Sequence, residues 1–302
     1  MKKLNKIRTV ILGLLLLVAI VSNAQQAKVA AAYTFLQQGN LDSAKANIDA
    51  AVVNHETEND AQAWQVRGFI YKAIYNTKEK SNRRSPARLE ALVSLKKSLS
   101  LDADKELFTE NIGAVKYFAN TFHNDAAESL DPIDYKTAIE LFNKSQECFR
   151  IVDPTPASIQ ANEIEFDLAL VSVYNSVLET DKNDSVITYK FVALARNVYN
   201  KILAMEPDNV KANYGMGILY YNQAVNLIKS QDYDLDLITL AVVEDKSAAL
   251  FKTSLPFMEK AYALDPNRVD ALQGLSGIYF SLHEDEKYNL FRQKLEDIKK
   301  PK

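Results

Sequence analysis

Asp232, Asp234 and Asp236 occupy alternate positions, a spacing at which carboxylates can converge on one hard cation such as calcium. The pattern stops there. A calcium loop needs glycine at its sixth position and a bidentate glutamate at its twelfth, where this chain has Leu237 and Val243, so an acidic connection between helices is expected instead. His55, His123 and His283 lie far apart in the chain, and none falls in a zinc-ligand spacing. No Gly-rich phosphate loop and no Gly-x-Ser-x-Gly elbow is present. Glu163 with Glu165, and Glu284 with Glu286, are two residues apart and so point to different faces of a helix, as solvated charge rather than an acid/base pair. Cys148 is the only cysteine, which excludes an intramolecular disulfide, and a partly buried, small apolar role is expected of it in preference to that of a reactive thiol. These residues predict no enzyme, no cofactor and no metal.

The elements that carry them begin after residue 24. Lys2, Lys3, Lys6 and Arg8 precede an unbroken apolar run, Val10 to Val21, and Ser22-Asn23-Ala24 supplies small residues for a signal peptidase. Residues 1–24 therefore read as a cleaved bacterial secretory signal, with 25–302 as one mature domain, periplasmic or secreted and without a stable membrane anchor. Removing the signal takes four positive charges with it and moves the formal net charge from −3 to −7. A chain that acidic lacks the footprint of a nucleic-acid binder. Only 8 Gly and 8 Pro in 302 residues favour long helices with short connections over a turn-rich β fold.

A repeat organises those helices. Ala44, Ala91, Ala138, Ala195 and Ser254 each precede a bulky residue by four positions (Ile48, Leu95, Phe142, Tyr199 and Met258), and successive copies are 47, 47, 57 and 59 residues apart. Each copy lies in an apolar i, i+3, i+4, i+7 pattern and follows another amphipathic stretch, so the unit is a helical hairpin. The small residue lets a second helix approach the backbone, and the bulky one fills the space a turn later.

These hairpins resemble tetratricopeptide repeats, whose consensus is W-x2-L-G-x2-Y in the first helix, A-x3-F in the second and then Pro. Trp64, Gly68 and Tyr71 match the first half, as do Met216, Gly217 and Tyr220, and Leu272, Leu275, Ser276 and Tyr279; Ile112-Gly113 matches in part. Ala195 and Ser254 are each followed 12 residues later by proline, in Glu206-Pro207-Asp208-Asn209 and Asp265-Pro266-Asn267. The proline stops one helix and Asp or Asn caps the next. The resemblance implies an all-α, right-handed superhelical solenoid of about six hairpins, at 26–54, 60–101, 105–151, 157–205, 209–264 and 268–298.

The family spaces its first-helix glycine 12 residues before the second-helix alanine. Ala32 and Ala44 keep that spacing, whereas Gly68–Ala91, Gly113–Ala138 and Gly217–Ser254 exceed it by 11, 13 and 25 residues, which predicts lengthened hairpin tips. The tip loops carry Lys78, Lys80, Arg83 and Arg84 at one end and Asp232, Asp234 and Asp236 at the other. They form either an interaction ridge or solvated connections between longer helices.

The resemblance also implies a groove lined by first helices that holds a peptide or partner protein. Carried over by position, its lining is Gln62, Gln65, Asn111, Tyr117, Lys211, Tyr214, Tyr221 and Asn222. Two functions fit: a non-catalytic interaction scaffold or adaptor for a protein or peptide of the cell envelope, or a binder of glycans or small ligands that uses some of the 15 tyrosines.

Overall fold

The computed structural model describes residues 26–180, 185–231 and 236–299; the proposed signal and Asp232 and Asp234 lie outside them. The described residues form twelve helices and no strand. They are α1 (26–37), α2 (Leu41–Val52), α3 (Ala61–Ile74), α4 (Pro86–Leu101), α5 (Phe108–Glu128), α6 (Tyr135–Val152), α7 (Pro156–Thr180), α8 (Ser185–Met205), α9 (Val210–Lys229), α10 (Leu237–Leu264), α11 (Val269–Ser281) and α12 (Asp285–Lys299). Consecutive helices pair as six hairpins whose ends overrun the boundaries expected from the repeat by at most one residue. Contacts divide them into two compact units, one of residues 26–129 and 136–155, the other of residues 130–135 and 156–299.

Local signals set the helix ends. Gly39, at φ +74°, supplies the left-handed turn between α1 and α2, and Asn40 Oδ1 then accepts from Ser43 N to cap α2. Asp60 caps α3, Ser85 caps α4 ahead of Pro86, and Asn209 caps α9. Asn267 does not act in this way: the N-cap of α11 is Arg268, and no side chain caps that helix. Asp236, the one described member of the aspartate triplet, accepts from the amides of Ile238 and Thr239 and so caps α10. Those bonds hold its carboxyl below the ordinary aspartate range.

The small residues of the repeat form the packing centre of the first five hairpins. Ala44, Ala91, Ala138, Ala195 and Ser254 are all completely buried, and the bulky residues four positions on are buried with them. A Cβ on Gly68 would come within 2.8 Å of Leu95, and Ser254 Oγ donates to the Gly217 carbonyl at 2.7 Å. The same bulky residues also reach the next hairpin. Tyr199 on α8 lies where a Cβ on Gly215 would be, 2.2 Å away, and Met258 on α10 packs 2.7 Å from the corresponding point on Gly274. Both glycines follow their bulky residue by 16 positions.

The third hairpin departs from its sequence match. Nothing lies within 4 Å of a Cβ built on Gly113, which is exposed, so this glycine is not the packing glycine. Ser145 Oγ donates to the Ala119 carbonyl, and counting along the antiparallel pair from there sets buried Ala126 opposite Ala138, twelve residues before it.

The tip inserts are mostly helix. In the second hairpin α3 continues as a π-wound turn, Tyr75–Glu79, leaving residues 80–85 as the loop; in the fifth, α10 extends to 28 residues. Three of the four basic residues of the first tip are engaged: Lys78 pairs with Asp42 (2.8 Å), Arg84 with Glu140 (3.0 Å) and Arg83 with Glu128 (3.5 Å). The stretch from Leu237 to Phe251 is the first half of α10 and packs on α9 within the hairpin.

Candidate binding face on α3 and α5

In the first unit, α3 is locked by its far side. Arg67 bonds Asp49 of α2 (2.9 Å) and Glu90 (2.8 Å) and Ser94 (2.7 Å) of α4, while Tyr71 OH donates to Asp49 at 2.8 Å. Burial alone would raise the Asp49 carboxyl, but hydrogen bonds from Lys45, Tyr71 and Arg67 outweigh it and hold the group below the ordinary range. Arg88 of α4, completely buried, lies between the rings of Tyr75 (5.2 Å) and Phe122 (3.9 Å) and pairs with Asp125 of α5 at 2.6 Å. These bonds fix α3 and α5 against α4.

With that side fixed, the other face of α3 presents Gln65, Phe69, Lys72 and Asn76, spaced four, three and four residues apart along one helical stripe. The stripe meets α5 at three points. Gln65 Nε2 donates to Glu110 Oε2 at 3.2 Å, Tyr117 OH donates to Asn76 Oδ1 at 2.6 Å, and Lys72 Nζ stands 4.7 Å from the centre of the Tyr117 ring. Asn76 lies in the π-wound turn. Lys72 is half-buried and has no carboxylate partner among the described residues; burial lowers its ammonium below the ordinary lysine range. Burial likewise raises the Tyr117 phenol. A desolvated cation on an aromatic face, beside amide groups, can receive a carboxylate or a backbone carbonyl.

The eight residues predicted from the sequence divide. Gln62, Lys211 and Asn222 are exposed. Gln65 and Tyr117 belong to the α3–α5 face just described. Asn111 is completely buried: it sits 16 positions after Leu95, the place Gly215 and Gly274 occupy in later hairpins, and donates to Ser98 Oγ at 2.9 Å. In the second unit, Tyr221 packs edge-on against Phe251 at 5.4 Å and fills the space beside Gly277, and Tyr214 lies beneath Arg268 at 4.3 Å. Sequence reasoning missed Lys72, Asn76 and Glu110. Continuing the stripe from Gln65 by helical periodicity reaches the first two.

Groups with reactive potential are elsewhere or inert. Cys148 is completely buried in α6, and burial pushes its thiol up to about 12. His55 and His283 are exposed in connections, and His123 lies beside Phe142 in the first unit. Glu163 is engaged rather than free, sharing Lys201 with buried Asp167 at 2.8 and 2.9 Å. Among the described residues no three His, Cys, Asp or Glu side chains gather to hold a metal ion, and no helix is long and apolar enough to cross a membrane.

No protein-family model and no curated protein matches the chain. Among solved structures, a tetratricopeptide repeat protein from Parabacteroides merdae is similar over 93% of this chain and 95% of its own, at 16% identity and a TM-score of 0.28. A monomeric mutant of IFIT1 with m7Gppp-AAAA is similar over 89% of this chain and 68% of its own, at 15% identity and a TM-score of 0.32. The human IFIT1 dimer with m7Gppp-AAAA gives 14% identity and a TM-score of 0.30, over 87% of this chain and 66% of its own. At these TM-scores nothing about the function of this chain follows from its neighbours.

Proposed function

We propose that the chain is a non-catalytic interaction scaffold that holds a peptide segment of a partner protein on the face of α3 and α5 that carries Lys72 and Tyr117. The observation that carries this reading is Lys72, a half-buried cation with no carboxylate partner among the described residues, set over Tyr117 one helical turn before Asn76. An acidic side chain or chain terminus of the peptide supplies the missing charge, and the amide groups bond its backbone. The glycan reading loses support where Tyr214 and Tyr221 are engaged in packing rather than offered as stacking surfaces.

A photoreactive amino acid in place of exposed Gln62, activated in cells and followed by mass spectrometry, tests this. Protein adducts are expected; adducts confined to glycan would contradict it. The export signal motivates a periplasmic setting. The intact mass of the purified mature chain then begins at Gln25, and a chain that retains residues 1–24 rejects this placement.

A further inference from the structure

One face of α10 has no partner among the described residues. Ile238, Val242, Asp245, Ala249, Lys252 and Pro256 are all exposed, and their spacing is four, three, four, three, four. That is the period of a seam along which two helices pack, sustained over about five turns, or roughly 27 Å. At its N-terminal end Leu237 to Val243 contains no charge and Thr239 is its one polar residue, and Leu237, Ile238, Leu240 and Val242 are 83%, 79%, 40% and 44% exposed. Four large apolar side chains exposed together mark a surface suited to contact.

The charges on the seam identify what covers it. Asp245 and Lys252 carry opposite charge seven residues apart on the same stripe, and neither has an ion-pair or hydrogen-bond partner among the described residues. Seven residues along a helix are about 10 Å, too far for the two to meet each other. A two-fold axis through the stripe beside Ala249 runs a second α10 antiparallel to the first. It brings Asp245 to Lys252 of the other copy and Lys252 to its Asp245, with the small Ala249 at the closest approach and Ile238 and Val242 laid along the far half of the partner helix. A lipid surface does not match this stripe, because its charged pair lies in mid-seam.

We propose that the chain forms a two-fold dimer through antiparallel pairing of the α10 seams. This is independent of the α3–α5 face. Sedimentation velocity on the mature protein over 5–200 μM, together with charge reversal, tests it (concentrations on the order of those at which modest interfaces associate). A concentration-dependent dimer is expected. Asp245→Lys or Lys252→Asp alone should weaken it at least tenfold, and the double variant Asp245→Lys/Lys252→Asp should restore it to within about threefold, since each reversal sets like charges opposite and the pair re-matches them. Ile238→Ser/Val242→Ser should give monomer with an unchanged melting profile, because both side chains are exposed. A protein that remains monomeric across the range, or a dimer indifferent to the single reversals, overturns the proposal.

Discussion

Cys148 illustrates how a residue's environment decides its chemistry. Complete burial pushes its thiol up to about 12, so the thiolate that reacts with alkylating reagents is scarce at neutral pH. The native protein should resist a maleimide for hours and react within minutes in 6 M guanidinium (times on the order set by access and thiolate fraction); rapid native labelling would show that α6 opens. Asp49 is the electrostatic counterpart. Its carboxyl is held below the ordinary aspartate range, so the stability it contributes is present above the unfolded pKa and is lost as pH falls through the folded one. Asp49→Asn should therefore cost about 2 kcal/mol at pH 7 and progressively less in acid, as read from urea melts at each pH. The sequence made Cys148 legible because a lone thiol in an apolar period is usually packed. It left Lys72 hidden because nothing in the α3 stripe announces that α5 contributes Tyr117 above it and no acid beside it.

Between helices, contact is decided by which side chains are absent. Gly215 and Gly113 both lie in helices and make opposite predictions. A methyl on Gly215 would lie 2.2 Å from the Tyr199 ring, which is buried and held by Asn175, whereas a methyl on Gly113 meets nothing within 4 Å. Gly215→Ala should destabilise by about 2 kcal/mol through overpacking, and Gly113→Ala should stabilise by about 0.5–1 kcal/mol through helix propensity. Thermal melts of the two variants distinguish them by sign. The small-then-bulky pattern was readable because close backbone approach has one chemical solution, and it located all five second helices that carry it. Gly113 misled because a glycine beside an apolar residue looks the same whether or not a neighbour arrives. The inserts left an interaction ridge and longer helices both open, and the structure lengthens the helices: α3 continues through a π-wound turn and α10 runs on.

For the molecule, repeated hairpins provide two compact units whose surfaces are set by what each repeat leaves unpaired. Several acids and bases of the first unit are matched across helices, as in Arg67 with Asp49 and Glu90, Arg88 with Asp125, and Lys96 with Glu147. Against that background an unmatched, desolvated Lys72 stands out as a place for a charge from outside the chain. The most direct measurement is the yield of protein crosslinked in cells from a photoreactive residue at position 62, compared between the otherwise native chain and Lys72→Glu. The account predicts a discrete protein adduct that falls at least about tenfold when the charge is reversed, as a closely paired ionic contact requires. An adduct of equal yield in both would show that the α3–α5 face does not recognise its partner through Lys72.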